Sequence, residues 1–342
     1  MMTARSKPHI ALIGTESMRA KEIRNILKQK NFPLAGMEFY DPGVKEEYSK
    51  LTQFGGEARV IHAPDKKLLL GSDIIFLASD AKTNREYGRW AEKNKIYAID
   101  LEGSFAKDTG IPRIVSGINE NNLKKDQYLI VNPHPATILL AHLLLAVSGS
   151  FGLHKAVAFI LQPVSAYGES GIEELATQSA DLLGSQSISK KVFKARIAFN
   201  LLSQTESIDK GGYSQLENRI NREIKAVMDQ SDFPLSLSLV QAPVFHTYSL
   251  MMYVELDKKA DIGQLGQIFR DTPYFKYYLP SQACPVSSSE AAGKDEILVG
   301  QIKKDDAFPN SFWLWAVADN LTRGSVLNAY EIALWLAGKS NS

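Results

Sequence analysis

HIALIG, residues 9–14, is a short apolar run near the N-terminus that ends on a glycine. Such a run is typical of a buried strand. The segment after it, residues 20–30, carries Ile23, Ile26 and Leu27 at the spacing of one helix face. The sequence therefore predicts a strand that passes through a glycine turn into a helix, the first unit of an α/β fold.

The same alternation of strand and helix continues through the first third of the chain. Further strands are predicted at residues 36–40, 73–78, 97–100 and 128–131, and a helix at residues 84–94. Because strands that alternate with helices are joined by crossover connections, this pattern favours a Rossmann-type, doubly wound parallel sheet.

The pattern changes in the second half of the chain. Strands are predicted at residues 156–162, 235–242, 249–255, 296–302 and 312–318, and helices at residues 136–148, 171–183, 215–229 and 327–337. Several of these strands follow one another with no predicted helix between them. We therefore expect a second, α+β domain with an antiparallel or mixed sheet.

Composition narrows the possible partners of the chain. Of the 342 residues, 39 are Lys or Arg and 38 are Asp or Glu, so the formal net charge is +1 and nucleic-acid binding is not favoured.

The single cysteine, Cys284, cannot form a disulfide within the chain, and we interpret it as a loop thiol. The N-terminus lacks a signal-peptide pattern, and the longest apolar stretch, residues 136–147, is too short to span a membrane. We expect a cytoplasmic protein without a membrane partner.

Several segments carry a resemblance to a known family. They are WAVADNLTRGSVLNA at 315–329, VNPHPATI at 131–138, AFNL at 198–201, PVF at 243–245 and ILVGQI at 297–302. In this order they resemble the aspartate-semialdehyde dehydrogenase family. The resemblance implies a Rossmann-like, dinucleotide-binding-type domain over residues 1–132, a dimerisation domain over 133–320, and a C-terminal helix, 321–342, that returns to the first domain. It also implies an NADP-dependent reaction in which a cysteine thiolate attacks the substrate carbonyl.

The residues at the family's catalytic positions differ from those that this reaction needs. The nucleophile position falls on Pro135, the base position on Tyr248 and the substrate-arginine position on Gln241. Proline has no side-chain nucleophile, a phenol is a weak base at neutral pH, and an amide cannot replace a bidentate guanidinium. His246 and His134 are weak candidates to substitute as acid–base groups, and packed or surface histidines are the alternative interpretation.

Three further comparisons with the family concern the substrate and metal ions. Residues 167–171 lie where the family has a substrate-orienting glutamine, and they contain none. Glu217 and Arg219 lie near the family's charged substrate contacts, or they form a solvated helix face. His134 and His142 are not accompanied by carboxylates, so we expect no metal site.

The loop after the first strand keeps only part of the family's dinucleotide motif. Gly14 is retained and Ser17 is small enough for close packing, but Glu16 competes with an anion at the helix N-terminus. Asp41, after the second strand, is either a ribose ligand or a turn aspartate. The candidate cofactor-binding residues are therefore Gly14, Ser17 and Asp41.

The phosphate-binding loop of the family has also changed. Ala106 stands where the family has an arginine, and Glu102 adds a negative charge where a phosphate would lie. Coulomb repulsion at this position disfavours an anionic ligand. We expect either no cofactor or weak NAD(P) binding.

Three functions remain open from the sequence. The first is a catalytically inactive paralogue with a structural or regulatory role, which forms a homodimer or a heterodimer with an active relative. The second is an active NAD(P)-dependent semialdehyde dehydrogenase of amino-acid biosynthesis. The third is an enzyme with different, non-thiol chemistry in the same cleft, based on Tyr248, His246 and His134.

Overall fold

The computed structural model describes residues 7–44, 50–203, 205–279 and 286–339. The chain divides into two compact units, one formed by the residues up to His134 and from Ser325 onward, the other by Pro135–Gly324. Among the described residues, none of the helices combines the length and the apolar character that a bilayer crossing requires.

The first unit is built on a seven-stranded sheet. Its strands are β1 (His9–Ile13), β2 (Gly36–Tyr40), β3 (Lys50–Phe54), β4 (Glu57–His62), β5 (Ile74–Leu77), β6 (Tyr97–Asp100) and β7 (Leu129–Val131), in the order β3-β4-β2-β1-β5-β6-β7. All neighbouring strands are parallel except the β3–β4 hairpin. The predicted Rossmann-type parallel sheet is confirmed.

Helices cover both faces of this sheet. They are α1 (Met18–Gln29), α2 (Lys66–Leu69), α3 (Ala81–Lys93) and, from the end of the chain, α9 (Leu327–Lys339). Ile10 and Leu12 of β1 pack in the apolar cluster that contains α1 and α9, and Ala11 and Ile13 pack in the cluster on the other face. Because β1 is buried on both faces, its sequence is a continuous apolar run rather than an alternating one.

One buried side chain ties α9 to the sheet. Asn328 is fully buried; its amide donates to the Ile114 carbonyl (2.9 Å) and to Asn132 Oδ1 (2.7 Å), and its Oδ1 accepts the Ser116 N–H (2.8 Å). Every hydrogen-bonding atom of this amide therefore has a partner within the first unit.

The second unit contains a six-stranded sheet. Its strands are β8 (Lys155–Gln162), β9 (Leu235–Gln241), β10 (Tyr248–Glu255), β11 (Phe275–Tyr277), β12 (Ile297–Lys304) and β13 (Ser311–Ala318), in the order β11-β12-β13-β10-β8-β9. The β8–β9 and β11–β12 pairs are parallel and the others antiparallel, so the predicted mixed sheet is confirmed.

The helices of the second unit are α4 (Pro135–Phe151), α5 (Gly168–Leu183), α6 (Gln215–Val227), α7 (Ile262–Asp271) and α8 (Ser288–Ala291). Along β8 the side chains alternate, with Ala156, Ala158 and Ile160 buried and Val157 and Phe159 more than 40% exposed. One face of the sheet therefore packs on the helices, and the other leaves apolar side chains open.

Candidate functional site

A crevice opens at the carboxyl ends of the strands in the first unit. Its lining comes from the loops after β1, β2, β5 and β6, and it encloses about 430 Å³. The lining residues are Gly14, Thr15, Glu16, Ser17, Asp41, Ala78, Ser79, Asp80 and Glu102. The strand order reverses between β1 and β5, and ligands of open α/β sheets bind at such a switch point. The crevice brings together Gly14, Ser17 and Asp41, the three residues that the sequence singled out.

Gly14 sets the shape of the first loop. Its φ is +87°, and a Cβ at this position would lie 2.6 Å from the carbonyl group of Ala78. Its N–H donates to the Tyr40 carbonyl at 2.7 Å. Ser17 is the N-cap of α1, where its side chain accepts the N–H of Ala20 at 3.0 Å. These contacts hold the loop close to β5 and start the helix.

Asp41 braces the same loop. Its Oδ2 accepts hydrogen bonds from the N–H of Thr15 (3.3 Å) and from the Thr15 hydroxyl (3.1 Å), and its Oδ1 accepts the Gly43 N–H (2.8 Å). The carboxylate thus makes a turn contact and also uses a loop N–H that could otherwise face a ligand.

Acidic side chains dominate the electrostatics of the crevice. Glu16 receives a hydrogen bond from the Lys50 ammonium at 2.9 Å, and this contact holds the pKa of Glu16 below its usual value. Glu102 forms an ion pair with Arg19, the second residue of α1. Asp80 caps α3, and the Thr83 hydroxyl that donates to it lowers its pKa. Glu16 and Asp80 are therefore carboxylates at neutral pH.

The loop after β6 is fixed by Asp100. This buried carboxylate accepts the N–H groups of Glu102 (3.2 Å), Gly103 (3.1 Å) and Phe105 (2.9 Å). Ala106, at the family's arginine position, is buried. A nucleotide pyrophosphate does not fit this set of residues, because four carboxylates line the crevice and the nearby guanidinium of Arg19 is already paired.

The second unit carries the residues at the family's nucleophile, base and substrate-arginine positions. Pro135 is buried and is the first residue of α4, where a missing N–H costs nothing. His134, directly before it, is half-buried. Cys284 lies outside the described residues.

Three neutral side chains at the ends of β8, β9 and β10 bond to one another. The strand register pairs Gln162 with Gln241 and sets Tyr248 beside Gln162 on the other flank. Gln162 Nε2 donates to Gln241 Oε1 (3.0 Å), Gln241 Nε2 donates to the Gln162 carbonyl (2.9 Å), and the Tyr248 hydroxyl donates to Gln162 Oε1 (3.1 Å). The three side chains, which we call the amide–phenol network, are at most 2% exposed.

Gln162 was not predicted as a site residue, because the family's glutamine position was assigned to residues 167–171. A signal was available: Gln162 is a polar residue at the end of a predicted strand, immediately before Pro163.

The segment before Tyr248 has an unusual backbone. Thr247 is fully buried with φ +75°, a conformation that β-branched residues rarely adopt. Its N–H donates to Asn320 Oδ1 (3.0 Å), which also accepts the Ser165 hydroxyl (3.2 Å). Among the described residues the Thr247 hydroxyl has no hydrogen-bond partner. His246 is half-buried.

Glu217 and Arg219 of α6 both make contacts within the second unit. Glu217 completes a capping box with Ser214 and accepts the Leu239 N–H at 2.9 Å. Arg219 pairs with the fully buried Glu223 at 2.8 Å.

The cavity beside Gln241 holds only about 10 Å³, the room of a single water molecule.

His142 is buried in α4, near one aromatic ring and one cationic group. Its ring lies 4.2 Å from that of Tyr274, and the guanidinium of Arg323 lies over the same Tyr274 ring. Burial, together with the charge of Arg323, lowers the pKa of His142 to about 3. Within the described part of the chain, His142 Nε2 has no hydrogen-bond partner, and no group of three His, Cys, Asp or Glu side chains could hold a metal ion.

Comparisons with known proteins agree with this architecture. The family model described as "Semialdehyde dehydrogenase, dimerisation domain" matches residues 145–323, just over half of the chain. The aspartate-semialdehyde dehydrogenase of Shewanella sp. (strain DB6705) is 25% identical over 327 residues, which cover 95% of this chain and 96% of that protein. The USG-1 protein homolog of Pseudomonas aeruginosa is 26% identical over 323 residues, which cover 94% and 95%. The crystal structure of aspartate semialdehyde dehydrogenase II from Vibrio cholerae has the same fold, with a TM-score of 0.89, 24% identity and 96% and 98% of the two chains covered.

Proposed function

The chain belongs to the semialdehyde dehydrogenase family, and from this premise we propose that it is an aspartate-semialdehyde dehydrogenase-like protein that does not catalyse the family's thiol-dependent reaction. Its role is then structural or regulatory.

The amide–phenol network is the observation that carries this proposal. The family's substrate-arginine and base positions, Gln241 and Tyr248, are occupied by neutral side chains that each form hydrogen bonds with Gln162. A substrate carboxylate next to them would lose its hydration without gaining a guanidinium partner. Burying an unpaired charge in this way costs on the order of several kcal/mol. The cavity of about 10 Å³ beside Gln241 is itself too small for such a substrate.

Pro135 supports the proposal independently. Covalent catalysis needs a polarizable nucleophile with a base close to it. Pro135 supplies no sulfur at the start of α4.

Turnover of aspartate semialdehyde with NADP⁺ and phosphate tests the proposal. We expect the absorbance band of reduced nicotinamide to stay at the level of the enzyme-free blank, while an aspartate-semialdehyde dehydrogenase run in parallel reduces the cofactor. Turnover by the wild type that persists in Cys284→Ala and disappears in Tyr248→Phe would contradict the proposal. Turnover that disappears in Cys284→Ala would instead assign this chain the family's own activity.

The alternative function, an enzyme with non-thiol chemistry, is tested separately. Isothermal titration with nucleotides and small dicarboxylates should give no heat above dilution. Saturable binding that His246→Ala or His134→Ala removes would favour a non-thiol enzyme.

We also propose that the chain acts as a homodimer through the open face of its six-stranded sheet. On this face Phe159 lies beside Met251, and Val157 lies beside Tyr253, which in turn lies beside Trp313. Val157 and Phe159 are 41% and 43% exposed, although both are large apolar residues on a central strand. An apolar sheet face of this kind is covered in stable proteins by another element or another chain.

Sedimentation velocity tests the dimer. The wild type should sediment as a dimer at micromolar concentration, and Phe159→Lys as a folded monomer. Leu183→Lys, which changes an 82% exposed leucine at the end of α5, is the matched control and should remain dimeric. A monomeric wild type would contradict this part of the proposal and would favour a role as a subunit added to an active relative.

A further inference from the structure

Two groups at the crevice of the first unit are suited to bind an anion, one beside it and one in its lining. One is the guanidinium of Arg19, in the first turn of α1, and the other is the N–H of Thr15, in the loop that precedes the helix. Both lie at the amino end of a helix, where the helix dipole also favours negative charge. A phosphate-bearing ligand would therefore be expected to contact this end of the crevice.

The protein's own carboxylates already use both groups. Asp41 comes from the end of β2 and accepts the Thr15 N–H. Glu102 comes from the end of β6 and forms an ion pair with Arg19. Because β5 lies between β1 and β6 in the sheet, the Arg19–Glu102 pair crosses the carboxyl end of β5, where the strand order reverses. Internal anions thus stand at the positions that ligand phosphates would take.

The Arg19–Glu102 pair leaves hydrogen-bonding capacity unused. Glu102 contacts Arg19 through Nη1 only, and among the described residues Arg19 Nε and Glu102 Oε1 are buried without a partner. A phosphate can accept from Nε and Nη together, as bidentate arginine contacts do. A ligand phosphate would make more hydrogen bonds with Arg19 than Glu102 does, and the negative charge of Glu102 is what opposes it.

We infer that Glu102 is the residue that excludes phosphate-bearing ligands from this crevice, by pairing with Arg19 in their place. This inference rests on the proposed function in one respect: the crevice does not bind a cofactor for a dehydrogenase reaction. Asp41 contributes less, because its contacts are to neutral N–H and hydroxyl groups of the loop. Loss of the Glu102 charge alone should then free Arg19 and admit a phosphate.

Isothermal titration of the full chain with inorganic pyrophosphate and with NADP⁺ tests the inference. We expect Glu102→Gln to bind pyrophosphate at least about tenfold more tightly than the wild type, since a repulsive charge is removed and a guanidinium is released. The gain should weaken as salt is added. Adding Arg19→Gln to Glu102→Gln should return the affinity to that of the wild type. Glu92→Gln, which removes an α3 carboxylate that is paired with Arg89 and does not line the crevice, is the matched control and should leave the affinity unchanged.

Two outcomes would overturn the inference. One is that Glu102→Gln and a second variant, Glu102→Ser, both melt like the wild type and bind pyrophosphate no better than it does. The other is that the gain in affinity persists after Arg19→Gln. Turnover of aspartate semialdehyde by the wild type would refute the proposed function, but the difference between wild type and Glu102→Gln would still report on Glu102 alone.

Discussion

Acid should destabilise the second unit through His142, and the effect can be worked out from the structure. Burial beside Arg323 lowers the pKa of His142 to about 3, whereas an unfolded histidine titrates near pH 6.5, an approximate reference value. As the pH falls below that reference, the unfolded chain binds a proton that the folded protein refuses. The stabilisation is therefore fully present above the unfolded pKa and is lost progressively as the pH falls toward the folded pKa.

The size of the effect follows from the linkage relation. Each pH unit inside this window lowers the free energy of unfolding by about 1.4 kcal/mol, so a change from about pH 7 to about pH 5 removes about 2 kcal/mol through His142 alone. In His142→Leu this contribution is absent, while all other titrating groups remain. The variant should therefore lose about 2 kcal/mol less than the wild type over the same change in pH.

Urea unfolding followed by tryptophan fluorescence at several pH values measures this difference. The matched control is His62→Gln, because His62 is exposed on β4 and its replacement should keep the pH dependence of the wild type. If the wild type and His142→Leu lose the same free energy between the two pH values, the buried histidine does not refuse the proton, and the reasoning is refuted.

Three further substitutions test other parts of the structure. Gly14→Ala should lower the free energy of unfolding by more than about 2 kcal/mol in urea titrations, because φ is +87° and the new Cβ meets the Ala78 carbonyl; an unchanged midpoint would contradict the loop geometry. Asn328→Ala should cost about 2–4 kcal/mol, since it removes the hydrogen-bond partner of two buried groups and one half-buried group, and calorimetry showing a loss below about 1 kcal/mol would argue against the described network. Thr247→Gly should raise the melting temperature by about 2–4 °C, because glycine adopts φ +75° without strain and removes a buried hydroxyl; a lower melting temperature would show that the threonine is not strained.

Periodicity and turn residues were enough to predict the two sheets. Strands such as β1 and β5 are buried on both faces, so their apolar runs are unambiguous even without an alignment. The β3–β4 hairpin was not predicted, because most of its residues are at least partly exposed and its strands lack an apolar run, although Gly55-Gly56 marks the turn. Helix α7 was also missed: Gly263 and Gly266 lower its helix propensity, and Gly266 is required by packing, since a Cβ there would lie 2.8 Å from the Tyr277 ring.

The candidate site was predictable only in part, for a physical reason. Residue types at Pro135, Gln241 and Tyr248 can be read from the sequence, but the hydrogen bonds among Gln241, Tyr248 and Gln162 depend on the register of three strands. The same holds for Glu102. Its negative charge could be read from the sequence, but its ion pair with Arg19 depends on the strand order, which places β5 between β1 and β6. Contacts between residues far apart in the chain are set by topology, which local patterns do not encode.

The return of α9 has a consequence for biosynthesis. Residues 135–324 form one unit from a continuous stretch of chain, whereas the other unit needs Val326, Tyr330 and Leu336 from the very end to complete its core. During translation, residues 135–324 can therefore finish folding before α9 is available to pack on the first sheet. A ribosome that stops before α9 is made leaves apolar surface of β1 and α1 exposed to chaperones and proteases.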